Sequence, residues 1–229
     1  MIGASTEEKA YSAPFVAFVA LILLGSVVTR VFDPWQTFWA VSDPQYWVNP
    51  AQTLICGALV WRWRRSYPLG WPRGAAWAVG AGILSIVLWI APQEWLGAAR
   101  RNEGFDPYFF GTAGPAFWVS LGLRFARLVI VVPLVEEIFW RGFLLRYLID
   151  ADFTKVPIGA FSWTSCLVVT AGFCLEHSPS DYPAAVLTGL LFNGVAYRTK
   201  SLSSCVLAHA ATNLLLGLYV LHTRQWGFW

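Results

Sequence analysis

From Ala116 to Leu148 the chain is apolar almost without a break, yet Arg124, Arg127, Glu136, Glu137 and Arg141 interrupt the run. One bilayer crossing needs about 20 apolar residues, so the run is either one long kinked helix or two segments broken at Pro133. Charges inside such a run are expelled or neutralised unless partners or water satisfy them. In a helix Glu137 and Arg141 lie four apart on one face, with the glutamate on the favourable N-terminal side of the pair. At about 100° per residue Glu136 points roughly 140° away from Arg141 and is the carboxylate left for chemistry. Pro133 removes a backbone donor just before the glutamates, which predicts a bend and liberated carbonyls there.

The rest of the chain has the same character. Of 229 residues 57% are hydrophobic and 13% charged, a balance that excludes an ordinary soluble domain. Runs at Phe15–Val31, Val48–Trp63, Ala75–Ala91, Ile158–Glu176, Tyr182–Tyr197 and Leu202–Leu221 join the long one. The expected fold is therefore all-α, a polytopic membrane helix bundle of seven or eight spans in a single integral membrane domain, residues 1–229. Residues 1–115 read as N-terminal scaffold spans, and residues 116–222 carry the polar motifs. Several tryptophans (Trp35, Trp39, Trp47, Trp61, Trp63, Trp71, Trp95, Trp226, Trp229) fall at the ends of runs, where indoles anchor at the interface. The net charge of +3 is concentrated in local clusters such as Arg62, Arg64, Arg65 and Arg73, which read as a cytoplasmic loop and not as a nucleic-acid surface. Cys56, Cys166, Cys174 and Cys205 lie in apolar segments without C-x-x-C spacing and read as buried reduced thiols.

Two further polar insertions complete a pattern with the glutamates. Phe173-x-x-x-His177 ends one run, and His209-x-x-x-Asn213 lies within the last, its two polar residues on one helical face. The sequence Glu136-Glu137-x-x-x-Arg141, then Phe173-x-x-x-His177, then His209-x-x-x-Asn213 resembles the CAAX prenyl protease and bacteriocin-processing intramembrane proteases, the CPBP or Abi family. The resemblance covers about Leu128 to Leu221 and extends, in size and tryptophan content, to the bacterial CAAX-protease-related branch. It implies a membrane-embedded endopeptidase with Glu136, His177, His209 and Asn213 as catalytic core, Glu137 and Arg141 in support, and a bacterial inner-membrane location. The implied partners are the lipid bilayer and a membrane-associated peptide or protein substrate.

The residues themselves fit that chemistry. A partly desolvated carboxylate is a stronger base toward water, which makes Glu136 the candidate base. His177 can hold and orient the same water, while His209 and Asn213 can donate to the oxygen that becomes negative in a tetrahedral intermediate. Taken singly each placement has a plainer structural reading: Glu137 with Arg141 locks helix packing, His177 is a solvated turn residue, and His209 and Asn213 join helices. His222 reads as interfacial, and Glu176 and Asp181 as extra acids near the site. No cofactor is expected. Zinc on Glu136, His177 and His209 is the minority alternative, although H-E-x-x-H is absent. A non-catalytic immunity or scaffold protein of the same fold and a proton-coupled transporter are the competing functions.

Overall fold

The computed structural model describes residues 5–32, 37–111 and 114–229. Trp35 lies outside them. Among the described residues there are eight α-helical elements: α1 (Thr6–Val31), a short α2 (Trp39–Ser42), α3 (Gln45–Arg62), α4 (Ala75–Trp95), α5 (Pro115–Tyr147), α6 (Trp163–Leu175), α7 (Tyr182–Thr199) and α8 (Leu202–Thr223). The described residues contain no strand. Four helices, α1, α4, α5 and α8, are long and apolar enough to cross a bilayer, so the chain is a multi-pass integral membrane protein. α6 is apolar but has 13 residues. α3 carries Gln45, Asn49 and Gln52, and α7 carries Thr188, Asn193 and Arg198, polar positions that set both apart from the other four.

Helix limits differ from the apolar runs where local chemistry takes over. α1 begins nine residues before Phe15, because Ser5 and Glu8 form a reciprocal capping box: Glu8 N–H donates to Ser5 Oγ (3.1 Å) and Ser5 N–H to Glu8 Oε2 (2.6 Å). α6 begins at Trp163 and not at Ile158, since a turn closes from Ala160 N–H to Pro157 O. Gly159 sits there at φ +71°, and a Cβ would lie 2.1 Å from Ala196 O. Ser162 then caps α6 by accepting from Ser165 N–H.

Two ends of the bundle are tied by different chemistry. At the first, Tyr11 OH donates to Ser66 O (3.0 Å), Tyr67 OH to Ala10 O (2.8 Å) and Ser204 Oγ to Arg73 O (2.6 Å). At the other, Gly227 N–H donates to Arg101 O (3.0 Å), Arg101 pairs with Asp181, and Tyr46 OH donates to Asp106 O (2.9 Å). The chain passes between these ends from α1 through α3, α4, α5, α6 and α7 to α8. Trp61, Trp71 and Trp95 are exposed as interface anchors should be, and Trp39 marginally so. Trp226 is not: it is buried, and Trp229 packs beside it at 5.7 Å between ring centroids, because the C-terminal turn folds back onto the bundle. Trp47 and Trp63 are half-buried. All four cysteines are free and buried.

The long run is one continuous helix. Around Pro133 it winds as two π-helical stretches, Arg127–Val131 and Ile138–Leu144, which bracket an α-helical turn from Val132 to Glu137. Such widened turns absorb an extra residue without ending the helix and recur at functional sites. Here they let one helix carry Pro133 and both glutamates.

Candidate functional site

Arg141 anchors one face of α5. Its Nη1 donates to Glu137 Oε1 (3.0 Å), its Nη2 to Gly189 O (3.1 Å) and its Nε to Asn193 Oδ1 (3.1 Å). The guanidinium lies over the rings of Phe173 (5.1 Å) and Phe192 (5.5 Å). Both side chains of the ion pair are fully buried. Every arginine nitrogen thus has a carboxylate, amide or carbonyl partner, the condition under which a buried charge is tolerated. Asn193 is held in turn by donating to Thr170 Oγ1 (3.1 Å). As the single amide in the apolar α7 run it carried a sequence signal of its own, which went unread.

Glu137 does more than hold Arg141. The same Oε1 also accepts from His209 Nδ1 at 3.0 Å, so α5 and α8 meet through one carboxylate oxygen. This engagement leaves His209 Nε2 as its available nitrogen. His177 is oriented by a different device: its Nδ1–H donates to Phe173 O (2.8 Å), one turn back on α6. A carbonyl only accepts, so the proton sits on Nδ1 and Nε2 of the neutral ring carries a lone pair. Trp89 from α4 packs against the His177 ring at 5.1 Å and donates Nε1–H to Thr188 (3.0 Å).

Asn213 shows what the π turn does. Val132 N–H bonds to Arg127 O, and Pro133 has no N–H, so Leu128 O lacks a chain donor; Asn213 Nδ2 supplies one at 2.8 Å. One of the two Asn213 amide hydrogens is therefore engaged by the helix backbone.

Glu136 differs from its neighbour. It is buried at 8% exposure but makes no hydrogen bond or ion pair within the protein among the described residues. It lines a cavity of about 630 Å³ together with His177, His209 and Asn213. The structure thus brings all four residues of the expected catalytic core to the wall of one cavity. Glu176 lines it too and accepts from Trp140 Nε1–H at 2.9 Å. That indole fits only because residue 172 is glycine, where a Cβ would stand 2.7 Å from Trp140 Cη2. The scaffold half also contributes: Phe15, Phe18 and Ile22 of α1, Trp89 of α4 and Arg101 reach the cavity. Arg124 and Arg127 form part of its wall; Arg127 Nε donates to Gln52 Oε1 (2.7 Å), and Arg124 stacks on Phe105 (5.1 Å). His222 does not line it. Among the described residues no group of three or more His, Cys, Asp or Glu side chains is arranged to hold a metal ion, so Glu136, His177 and His209 do not assemble as a zinc set.

Residues 116–215, which hold every one of these motif positions, match the family model described as Rce1-like, Type II CAAX prenyl endopeptidase Rce1-like. No curated protein matches the chain, and no solved structure does.

Proposed function

From that match we propose that the chain is an intramembrane endopeptidase that hydrolyses a peptide bond of a membrane-associated substrate. The observation that carries the reading is the Glu136 carboxylate, without a protein partner, opening onto the cavity that His177, His209 and Asn213 also line. Glu136 takes a proton from water while His177 Nε2 accepts the water's other hydrogen and aims its oxygen. The hydroxide adds to the peptide carbonyl. His209 Nε2 and the second Asn213 amide hydrogen donate to the resulting oxyanion. For His209 to donate from Nε2 its ring carries both protons, with the Glu137 carboxylate at Nδ1 as counterion. The protonated Glu136 then passes its proton to the leaving amine as the tetrahedral carbon collapses, and both products are balanced. Glu137 and Arg141 position this machinery and do not touch substrate.

Seven helices, α1 and α3 to α8, are proposed to cross the bilayer, with residues 1–115 as scaffold and the arginine-rich Arg62 to Arg73 loop in the cytoplasm. The membrane is then a bacterial inner membrane. No cofactor takes part in the proposed step.

The test is cleavage of membrane-tethered peptides, prenylated and unprenylated, by purified protein in vesicles. The reading expects cleavage that survives strong chelators. A folded protein that cuts no peptide in the panel contradicts it in favour of a non-catalytic or transport role. Loss of cleavage on chelation with recovery on adding zinc contradicts the metal-free step.

A further inference from the structure

A second concavity lies away from the cavity, on the outer surface between α4 and α7. It is a groove of about 1090 Å³ floored by Trp77, Gly80 and Leu84 on one side and Leu187, Leu190 and Gly194 on the other. Its lining is apolar except at one end, where Arg198 stands over the Trp77 ring at 5.7 Å. Arg198 forms no ion pair among the described residues, and no acidic side chain lines the groove.

Beside the same end lies a recess of about 540 Å³ in which Arg73, Lys200 and Ser201 stand among Pro68, Trp71, Ile158 and Leu202, with Lys200 Nζ donating to Gly159 O. Gly74 and Thr199 pack between the two, since a Cβ at Gly74 would stand 3.3 Å from Thr199 Cγ2 and 3.7 Å from Trp77 Cδ1. Arg73 and Lys200 are the chain neighbours of these two residues and lie on the recess side. α4 also starts here, with no acidic residue in its first turn and no side-chain cap, so the positive end of its dipole adds to three cations. Trp71, 92% exposed, stands at this end as an indole does at headgroup level.

We propose that this composite surface is a binding site for one anionic glycerophospholipid, with an acyl chain along the α4–α7 groove and the phosphate against Arg198, Arg73 and Lys200. Charge complementarity selects the occupant. A basic recess at the end of an apolar interhelical groove recruits anionic headgroups, at about 1 kcal/mol for each Lys or Arg near the surface. The site is separate from the Glu136 cavity and does not depend on the protease reading.

Native mass spectrometry of the detergent-solubilised full chain, given equal amounts of phosphatidylglycerol and phosphatidylcholine, tests it. The monomer should retain phosphatidylglycerol preferentially, and Arg198→Gln should lower that preference about fivefold, Arg73→Gln by a similar factor. Gly194→Leu should reduce retention of both lipids, because nothing lies within 4 Å of a Cβ there and the new side chain fills the groove. Gly80 is equally open, so Gly80→Leu serves if Gly194→Leu does not fold. Folding is read from protection of the four buried cysteines against a thiol dye. Equal retention of the two lipids, a preference unmoved by Arg198→Gln, or a lipid-insensitive dimer lost in Gly194→Leu would overturn the proposal.

Discussion

Glu136 and Glu137 are adjacent in the chain and occupy different media. Glu137 is wholly inside protein, with Arg141 and His209 both on one oxygen, and its surroundings leave no approach for a substrate. Glu136 has no protein partner and faces a cavity of about 630 Å³. The chain separates them by rotation alone, since successive helical residues point about 100° apart. One face of α5 is tied to α7 and α8 through Arg141 and Glu137, while Glu136 opens onto the cavity. On the proposed function, Glu137 is given structural work and Glu136 chemical work.

The widest separation between the two should appear in Glu136→Gln. Loss of a general base costs on the order of 10²–10⁴ in rate, and because this carboxylate holds no part of the fold together, the thermal midpoint should stay at the wild-type value. Unchanged turnover in peptide cleavage would erase the distinction from the chemical side.

Glu137→Gln attacks it from the structural side. Breaking a buried pair costs roughly 3–5 kcal/mol, so the variant should melt well below wild type. Part of its activity should go as well, through His209, and thermal unfolding monitored by cysteine exposure gives the first quantity independently of the second.

Asn213→Ala straddles the two faces. Removing one oxyanion donor costs on the order of 10²–10³ in turnover, with KM changed less. The same substitution leaves Leu128 O without its donor, a smaller loss of about 1 kcal/mol in stability. A variant with lower stability and intact turnover would assign Asn213 to the helix backbone alone.

The smallest effect on cleavage belongs to Gly172→Ala. Its methyl would meet the Trp140 indole, so overpacking should cost about 1–3 kcal/mol and loosen the Trp140 to Glu176 bond. Cleavage per folded molecule should fall only modestly. A drop as large as that of Glu136→Gln would make Glu176 part of the chemistry.

Much of this comparison was readable from residues. The four-residue spacing of Glu137 and Arg141 gave the ion pair, and the helical phase of Glu136 gave its different direction. The order of the three motifs gave the resemblance that the family model matches over residues 116–215. What stayed hidden depended on contacts between helices. Nothing in the spacing of His209 shows that its Nδ1 lies on Glu137, because that bond joins residues 72 apart. The role of Pro133 was half visible: a missing donor was expected, but the widened turns that keep α5 continuous, and the rescue of Leu128 O by Asn213, follow only from how α8 packs on α5. The tryptophans divide in the same way. Those at loop ends such as Trp61 are exposed, whereas Trp226 turns inward with a segment whose folding back has no local signature.

The central claim is that Glu136 activates water and Glu137 holds the groups around it. The most direct measurement is the initial rate of cleavage of one membrane-tethered peptide in vesicles by wild type, Glu136→Gln and Glu137→Gln, each divided by its folded fraction from cysteine protection. The account predicts cleavage lowered on the order of 10²–10⁴ for Glu136→Gln at full folding, and a smaller reduction per folded molecule for Glu137→Gln. Cleavage by Glu136→Gln near the wild-type rate, or a Glu137→Gln enzyme that is fully folded and inactive, would contradict it.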